Sequence, residues 1–368
     1  MDDPKTATQT TFLTSPTFNA VEADRTLASI VKVTNVEPVP GADRIDVAQV
    51  LGWELVVKKA EFKVGDLAIY FGIGGILDKD NSNTNFLEGK PLRTKKIRGI
   101  VSQGLLGSLA WLKDYGVDPA TVKEGDDVTK IMKVQKWVPL DELEVYASNS
   151  DNERGPFPSF IPKTDEERIQ NMSRQLTKFV NVNVVLMQKF DGTSCTYVYC
   201  EGKFYICSRN NVLLKETEMA KPYMEISRRY KLDETMPKLK RNLAIQGEII
   251  GPKLSANRHK VADIEYHVFN IYDIDTKTYL GHDDIVVISE ILGLKMIKVV
   301  YRGPVKSEWL TTEEPNKLNA RVLLDMANTE KYDTGQMAEG FVLKLDNKMG
   351  PKLSCKIISN NYLLKYGL

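Results

Sequence analysis

The sequence predicts an α+β chain, a small β-barrel followed by a domain of antiparallel sheets flanked by helices, on the strength of three observations. Short apolar or alternating runs, punctuated by Gly, Pro and Asp turn signals, fill residues 26–109 with almost no helical period among them. A polar stretch from Ala147 to Pro156, continuing through Pro158 and Pro162, reads as a linker. Beyond it, strand-like runs alternate with segments of helical period.

With 368 residues there is chain enough for two cores, and 42% hydrophobic with 27% charged residues is ordinary globular composition. A net charge of +1 excludes a polycationic body, so any nucleic-acid surface must be a local patch. Cys195, Cys200, Cys207 and Cys355 show no CxxC spacing, which argues against a zinc site and a disulfide framework. His259, His267 and His282 lack the spacing of a metal or triad set. No apolar run approaches the roughly 18 residues of a membrane span. Residues 1–24 are Ser/Thr-rich and hold Asp2 and Asp3, and no arginine precedes Arg25; they read as a disordered leader. An intracellular, reducing compartment is expected, with cytoplasm and nucleus not distinguished.

The first domain is expected over 25–145. Its strands are Leu27–Val33, Asp46–Leu51, Trp53–Val57, Asp66–Phe71 and Gln103–Leu109, with turns at Pro40-Gly41-Ala42-Asp43 and Lys63-Val64-Gly65-Asp66. Many short strands and few helices predict the barrel. Between the fourth and fifth runs, Arg93, Lys95, Lys96 and Arg98 crowd into six residues, as a solvated loop or a phosphate-backbone contact. Val134–Trp137 is a candidate closing strand, and 146–163 the linker.

The second domain is expected over 164–368. Thr164 followed by Glu167 predicts a capping box on a short helix bearing Arg168. The apolar run Val182–Met187 predicts a buried strand that delivers Lys189 where a loop begins, at the head of Lys189-Phe190-Asp191-Gly192. A lysine there is a nucleophile if its amine is held neutral by a dry pocket or nearby cations. Gly192 would let the backbone approach a bulky ligand, and Asp191 would orient a metal or a ribose hydroxyl; taken alone, the tetrad reads equally as a β-turn.

A hairpin of Ser194–Cys200 and Lys203–Cys207 across Glu201-Gly202 brings Arg209 beside the Lys189 strand. Helix is expected over 213–231, broken near Pro222. Leu243–Pro252 then places Glu248 inside an apolar strand, where an ionised carboxylate is costly unless it meets a cation or hydroxyl, so Glu248 is a site candidate. In the strand Tyr266–Ile274, Phe269 and Ile271 are expected on one face and Tyr272 on the other, one aromatic for the core and one for stacking on a base. A helix over 284–292, a strand at Lys298–Tyr301 and a helix over 316–327 follow. Glu339-Gly340 with Lys344, then Ser354-Cys355-Lys356, repeat carboxylate and lysine at strand spacing.

In this fixed order, the Lys189, Arg209, Glu248, Phe269, Glu339 and Lys356 segments resemble the collinear motifs of covalent nucleotidyltransferases: RNA ligases, DNA ligases and mRNA capping enzymes. The first domain resembles OB-type domains of tRNA-binding and RNA-ligase proteins in Gly41-Ala42-Asp43-Arg44, Lys63-Val64-Gly65-Asp66 and Ser102-Gln103-Gly104. With the barrel first and Asn361-Tyr362-Leu363-Leu364 near the end, the whole chain resembles the fifth family of RNA ligases. These are ATP-dependent enzymes with an N-terminal OB domain and a C-terminal nucleotidyltransferase domain of ATP-grasp-like ligase type.

The resemblance implies a lysyl-AMP on Lys189, AMP transfer to an RNA 5′-phosphate, and closure by a 3′-hydroxyl. It implies Mg²⁺ or Mn²⁺ held by Asp191, Glu248 and Glu339, partly through water, with ribose hydroxyls as the alternative for Glu248. Arg168, Lys344 and Lys356 would meet phosphates, Gln188 and Lys189 the nucleotide, Arg209 the sugar or the RNA 5′-phosphate, and Phe269 or Tyr272 the adenine. Ser354 departs from a last motif that often carries two lysines; Lys352 or Lys344 would have to serve. The substrate implied is RNA with 3′-hydroxyl and 5′-phosphate ends, as a nicked duplex, handled by a monomer with no membrane partner. A DNA nick ligase of the same superfamily and a non-catalytic OB-type RNA-binding protein are the competing readings.

Overall fold

The computed structural model describes residues 20–23, 25–138, 153–252, 254, 256–312, 314–346 and 353–368. The chain divides into two compact units, Met1–Ser148 with Gly367–Leu368, and Asn149–Tyr366.

Five antiparallel strands build the first unit's main sheet, in the order β4-β3-β2-β5-β9: β2 Ala28–Pro38, β3 Ile45–Val50, β4 Trp53–Lys58, β5 Leu67–Phe71 and β9 Leu105–Ser108. The long β2 shifts register between Val33 and Asn35, so its first half pairs with β5 and its second with β3. A strand bent at such a bulge is what curls a sheet toward a barrel. Alternation supplies the core: Val31, Val33, Ala48, Val50, Trp53 and Leu55 are buried together. Of the expected leader, Ala20–Glu22 (β1) pairs with β10, Gln135–Trp137, which also pairs with β6, Gly75–Ile76. The candidate closing strand is thus β10, in a small sheet of its own; residues 1–19 and 24 lie outside the described ones.

A short ribbon carries the basic run. β7, Lys95–Ile97, pairs with β8, Ile100–Ser102, across Arg98 and Gly99, both at positive φ (50° and 87°), the geometry of a tight hairpin turn. Lys95, Lys96 and Arg98 are exposed on it. Arg93 is not on the ribbon; its guanidinium lies 4.9 Å from the centre of the Trp137 ring.

The second unit is two sheets. The larger orders β11-β16-β15-β14-β17-β18-β19, with β20 beside β18. Its strands are β11 Arg154–Pro156, β14 Thr193–Cys200, β15 Lys203–Cys207, β16 Asn211–Leu213, β17 Leu243–Ile250, β18 Glu265–Asp273, β19 Thr278–Tyr279 and β20 Lys295–Met296. The smaller orders β12-β23-β22-β13-β21: β12 Glu167–Arg168, β13 Asn183–Lys189, β21 Val299–Pro304, β22 Gly340–Leu345 and β23 Ser354–Ile358. Helices Lys221–Tyr230 and His282–Ile291 cover the outer face of the large sheet over Tyr197, Ile245, Ile249, Tyr266 and Val268. Helix Ala320–Thr329 covers the small one over Val184, Leu186, Phe341 and Leu343. Between the two inner faces lie Val185, Met187, Phe190, Ile250, Ile297, Tyr332 and Ala338.

Four expectations are corrected. Residues 153–163 are not linker: β11 pairs with β16, and Ile161 is buried against Val198 and Ala244; residues 146–152 lie outside the described ones. Arg168 is not on a helix. Glu167 accepts from the Arg168 amide and from Asn171 Nδ2 instead of closing a capping box, and β12 pairs in parallel with β23, so sheet pairing outweighs the local signal. The helix expected over 213–231 spans only Lys221–Tyr230, because Leu213 is drawn into the β15–β16 edge. Finally, β17 and β18 shift register between Gln246 and Gly247. The extra residue reverses the alternation of β18, so Ile271 packs in the outer core while Phe269 and Tyr272 both face inward.

Candidate active site

Lys189 is the last residue of β13, and Glu339 immediately precedes β22, which pairs with β13 up to Lys189–Gly340. The ladder thereby delivers the Lys189 ammonium to Glu339, with Nζ 2.8 Å from Oε2. Glu248 comes from the facing sheet. It sits on the inner face of β17, opposite Ser194 and His267, while its neighbours Ile245 and Ile249 point into the outer core.

Two glycines permit this approach. A Cβ on Gly192 would stand 2.3 Å from the Ile249 carbonyl oxygen, so only glycine lets the lysine loop close onto β17. Gly340, at φ 137°, would place a Cβ 2.0 Å from the Ile357 carbonyl oxygen.

The electrostatics have two parts. Burial pulls the Lys189 pKa down, but Glu339 and Glu248 outweigh it and the net shift is upward, so the free protein holds this amine as an ammonium. Burial pushes the Glu248 carboxyl up to about 7, with Lys189 and the Gly192 amide opposing and Glu339 adding to the rise. On the other side, Arg168 of β12 lies in register with Lys356 of β23. The Lys356 pKa falls to about 8, through burial first and then through Arg168, Lys189 and Arg209. A buried lysine among cations is a site that an anion completes. Arg209 donates to Asp165 Oδ1 at 2.5 Å.

Other site candidates are committed elsewhere. Asp191 is ion-paired with Arg258, whose guanidinium lies 3.8 Å from the centre of the Tyr366 ring and 5.2 Å from that of Tyr362. Gln188 Nε2 donates to Glu330 Oε1 (2.8 Å) and to the Lys331 carbonyl (3.0 Å), which clamps the loop that follows the helix Ala320–Thr329. Lys344 Nζ donates to the Phe269 carbonyl (2.8 Å) and to Asn270 Oδ1 (3.1 Å). Ser354 Oγ donates to Glu166, and Lys352 lies outside the described residues. Of the two aromatics, Phe269 packs with the residues between the sheets that neighbour Lys189, whereas Tyr272 sits edge-on to Tyr279 against Val198 and Ala244. Among the described residues no three His, Cys, Asp or Glu side chains converge as a direct metal cage.

Sequence reading missed Arg258 and Tyr332. Tyr332 donates to the Lys189 carbonyl and accepts from the Glu339 amide. Arg258 reads as one more basic residue in a loop, and Tyr332 as one more aromatic; only long-range packing shows their partners.

Fold and site together define a lysine-centred ligase domain behind an OB-type one. Family models match an OB-fold domain over residues 27–109 and RNA ligase over residues 182–366, and the chain belongs to the RNA ligase family. Solved structures of the Naegleria gruberi RNA ligase are similar to it along nearly the whole chain. The structure with pyrophosphate is 32% identical with a TM-score of 0.78, covering 93% of this chain and 99% of that one. A lysine-to-alanine variant of that enzyme with ATP and manganese gives 32% and 0.78, covering 93% and 98%. An arginine-to-alanine variant, also with ATP and manganese, gives 31% and 0.80, covering 93% and 99%. No curated protein matched the chain in sequence.

Proposed function

We propose that this RNA ligase seals 3′-hydroxyl/5′-phosphate breaks through a covalent adenylate on Lys189, with ATP as the adenylate donor. The observation that carries the reading is the meeting of Lys189 with Glu339 at 2.8 Å, flanked by Glu248 and by the cations Arg168, Arg209 and Lys356.

The amine attacks the α-phosphorus of ATP, a P–N bond forms and pyrophosphate leaves. An RNA 5′-phosphate oxygen then attacks the same phosphorus and the P–N bond breaks, which leaves AMP joined to the RNA end. The 3′-hydroxyl attacks the RNA phosphate and AMP departs.

Each residue's part follows from its surroundings. Lys189 must shed a proton before it attacks, and its two carboxylate neighbours resist that while their charge is uncompensated. Glu248 and Glu339 offer the oxygen donors that Mg²⁺ or Mn²⁺ prefers, with Asp191 as a third once Arg258 releases it. Such a cation, held through water, would neutralise charge at the α-phosphate and at these carboxylates. Lys356, Arg168 and Arg209 form the anion-stabilising side of the site, ready for phosphate oxygens. Phe269 offers the ring for adenine.

The exposed Lys95-Lys96-Arg98 ribbon would follow an RNA backbone, independently of sequence. A nicked duplex and monomeric action complete the proposal, in a reducing compartment that suits four free cysteines. Among the described residues no helix is long and apolar enough to cross a membrane.

The test is incubation with α-labelled ATP with and without divalent metal, denaturing electrophoresis, and a chase with nicked duplexes ending in RNA or DNA. Label should remain on wild type, vanish in Lys189→Ala, and chase with the RNA-ended nick. Equal chase with a DNA end would make the enzyme a general nick ligase, and absence of label would refute the lysyl-AMP route.

A further inference from the structure

The loop between the helix Ala320–Thr329 and β22 holds Tyr332, only 2% exposed. Its hydroxyl donates to the Lys189 carbonyl at 2.9 Å and accepts from the Glu339 amide at 3.1 Å. The β13–β22 ladder reaches its last pair at Lys189–Gly340, so the hydroxyl stands at the ladder's open end. It joins the backbones of the two residues whose side chains meet in the site. Burial pushes the phenol's pKa up, which keeps it protonated and able to donate.

The rest of the loop is built to hold that hydroxyl still. The Tyr332 ring centre is 4.0 Å from that of His259, and the ring lies edge-on to Phe190 at 6.1 Å. The Tyr332 amide donates to the Gln336 carbonyl at 2.8 Å, and a bridge pairs Lys331 with Met337. Gln188, next to the lysine, grips Glu330 and Lys331, and Lys298 pairs with Asp333 at 2.6 Å.

We propose that Tyr332 is a positioning residue for lysine adenylation, its hydroxyl setting the spacing between the strand end that bears Lys189 and the backbone that bears Glu339. Direct bonding of the two backbones would draw the strands together, and a mobile water would let them drift. A buried phenol on a clamped loop fixes one separation. The hydroxyl's one proton is spent on the Lys189 carbonyl, which leaves none to donate to a phosphate, so its effect falls on the geometry of attack and not on ATP affinity. This inference rests on Lys189 being the adenylated residue.

Tyr332→Phe keeps the ring stack and deletes the hydroxyl. In single-turnover labelling of the full chain with α-labelled ATP, the rate constant at saturating ATP should fall by roughly 10–100-fold, since errors near 1 Å in attack geometry cost about that much. Half-saturating ATP should stay within about twofold. Tyr332→Leu, which also removes the ring, should lower the melting temperature further than Tyr332→Phe does. A wild-type rate constant in folded Tyr332→Phe would overturn the proposal. So would a fall confined to ATP affinity, or a lowered melting temperature with the rate constant of the folded protein unchanged. Wild type that takes no label, or label that survives in Lys189→Ala, would instead remove the adenylation reading beneath it.

Discussion

Lys356 should be a residue whose removal stabilises the protein and harms the enzyme. Its pKa drops from 10.5 to about 8 because the fold buries it beside Arg168, Lys189 and Arg209. At 1.36 kcal/mol per unit, holding it charged at pH 7 costs the folded state about 3 kcal/mol, as an order of magnitude. The sign follows from linkage. Below pH 8 the group is charged in both states and the full cost is present; between pH 8 and 10.5 the folded form sheds its proton and the cost shrinks.

Lys356→Met keeps the alkyl stem and removes the charge. At roughly 2–4 °C per kcal/mol for a domain of this size, its melting temperature at pH 7 should rise by about 6 °C or more. The gap should narrow as the pH approaches 10. Thermal melts of both proteins at pH 7, 8.5 and 10 make the comparison, with pyrophosphate added as an anion probe. Pyrophosphate should stabilise wild type more than the variant, and labelling by ATP should drop in the variant. A lower melting temperature for Lys356→Met at pH 7, or a gap that ignores pH, would refute the reasoning.

Three further outcomes are expected. Replacing Lys95, Lys96 and Arg98 together by Ala should reduce the log–log salt slope of RNA binding by about 2, at roughly 0.7 per lost single-strand phosphate contact, with self-adenylation intact; a matching loss of adenylation would count against the ribbon as an RNA contact. Arg258→Ala should remove the cation paired with Asp191 and lower the Mn²⁺ concentration needed for half-maximal thermal stabilisation several-fold, and an unchanged midpoint would show that Arg258 does not compete with metal. Glu248, raised from 4.5 to about 7, makes wild type lose stability as pH climbs through that window, so Glu248→Gln should flatten the slope of melting temperature between pH 5 and 8.

The sequence made legible whatever depended on local pattern. Short alternating or apolar runs located β3, β4, β13 and β17, and the cost of burying a carboxylate singled out Glu248 before any partner was visible. What stayed hidden depended on pairing across the chain. The capping-box letters at Thr164 and Glu167 are real, yet the parallel partner supplied by β23 turns Arg168 into a strand residue. One bulged residue in β18 was enough to put Phe269 and Ile271 on opposite faces, because a period of two has no memory across an insertion. Tyr332 and Arg258 act through residues 143 and 67 positions away, and no short window contains both members of either pair.

The smaller sheet is drawn from both ends of its unit: β12 and β13 come before every strand of the larger sheet except β11, and β21, β22 and β23 after it. Lys189 and Glu339 are 150 residues apart. A ribosome therefore makes Lys189 long before its counter-charge and the Arg168 partner strand exist, and the growing chain must keep β12 waiting for β23 and β13 waiting for β21 and β22. Such non-local closure makes folding slow. It also leaves Lys189 of a part-made chain without the Glu339 carboxylate that its ammonium meets in the folded protein.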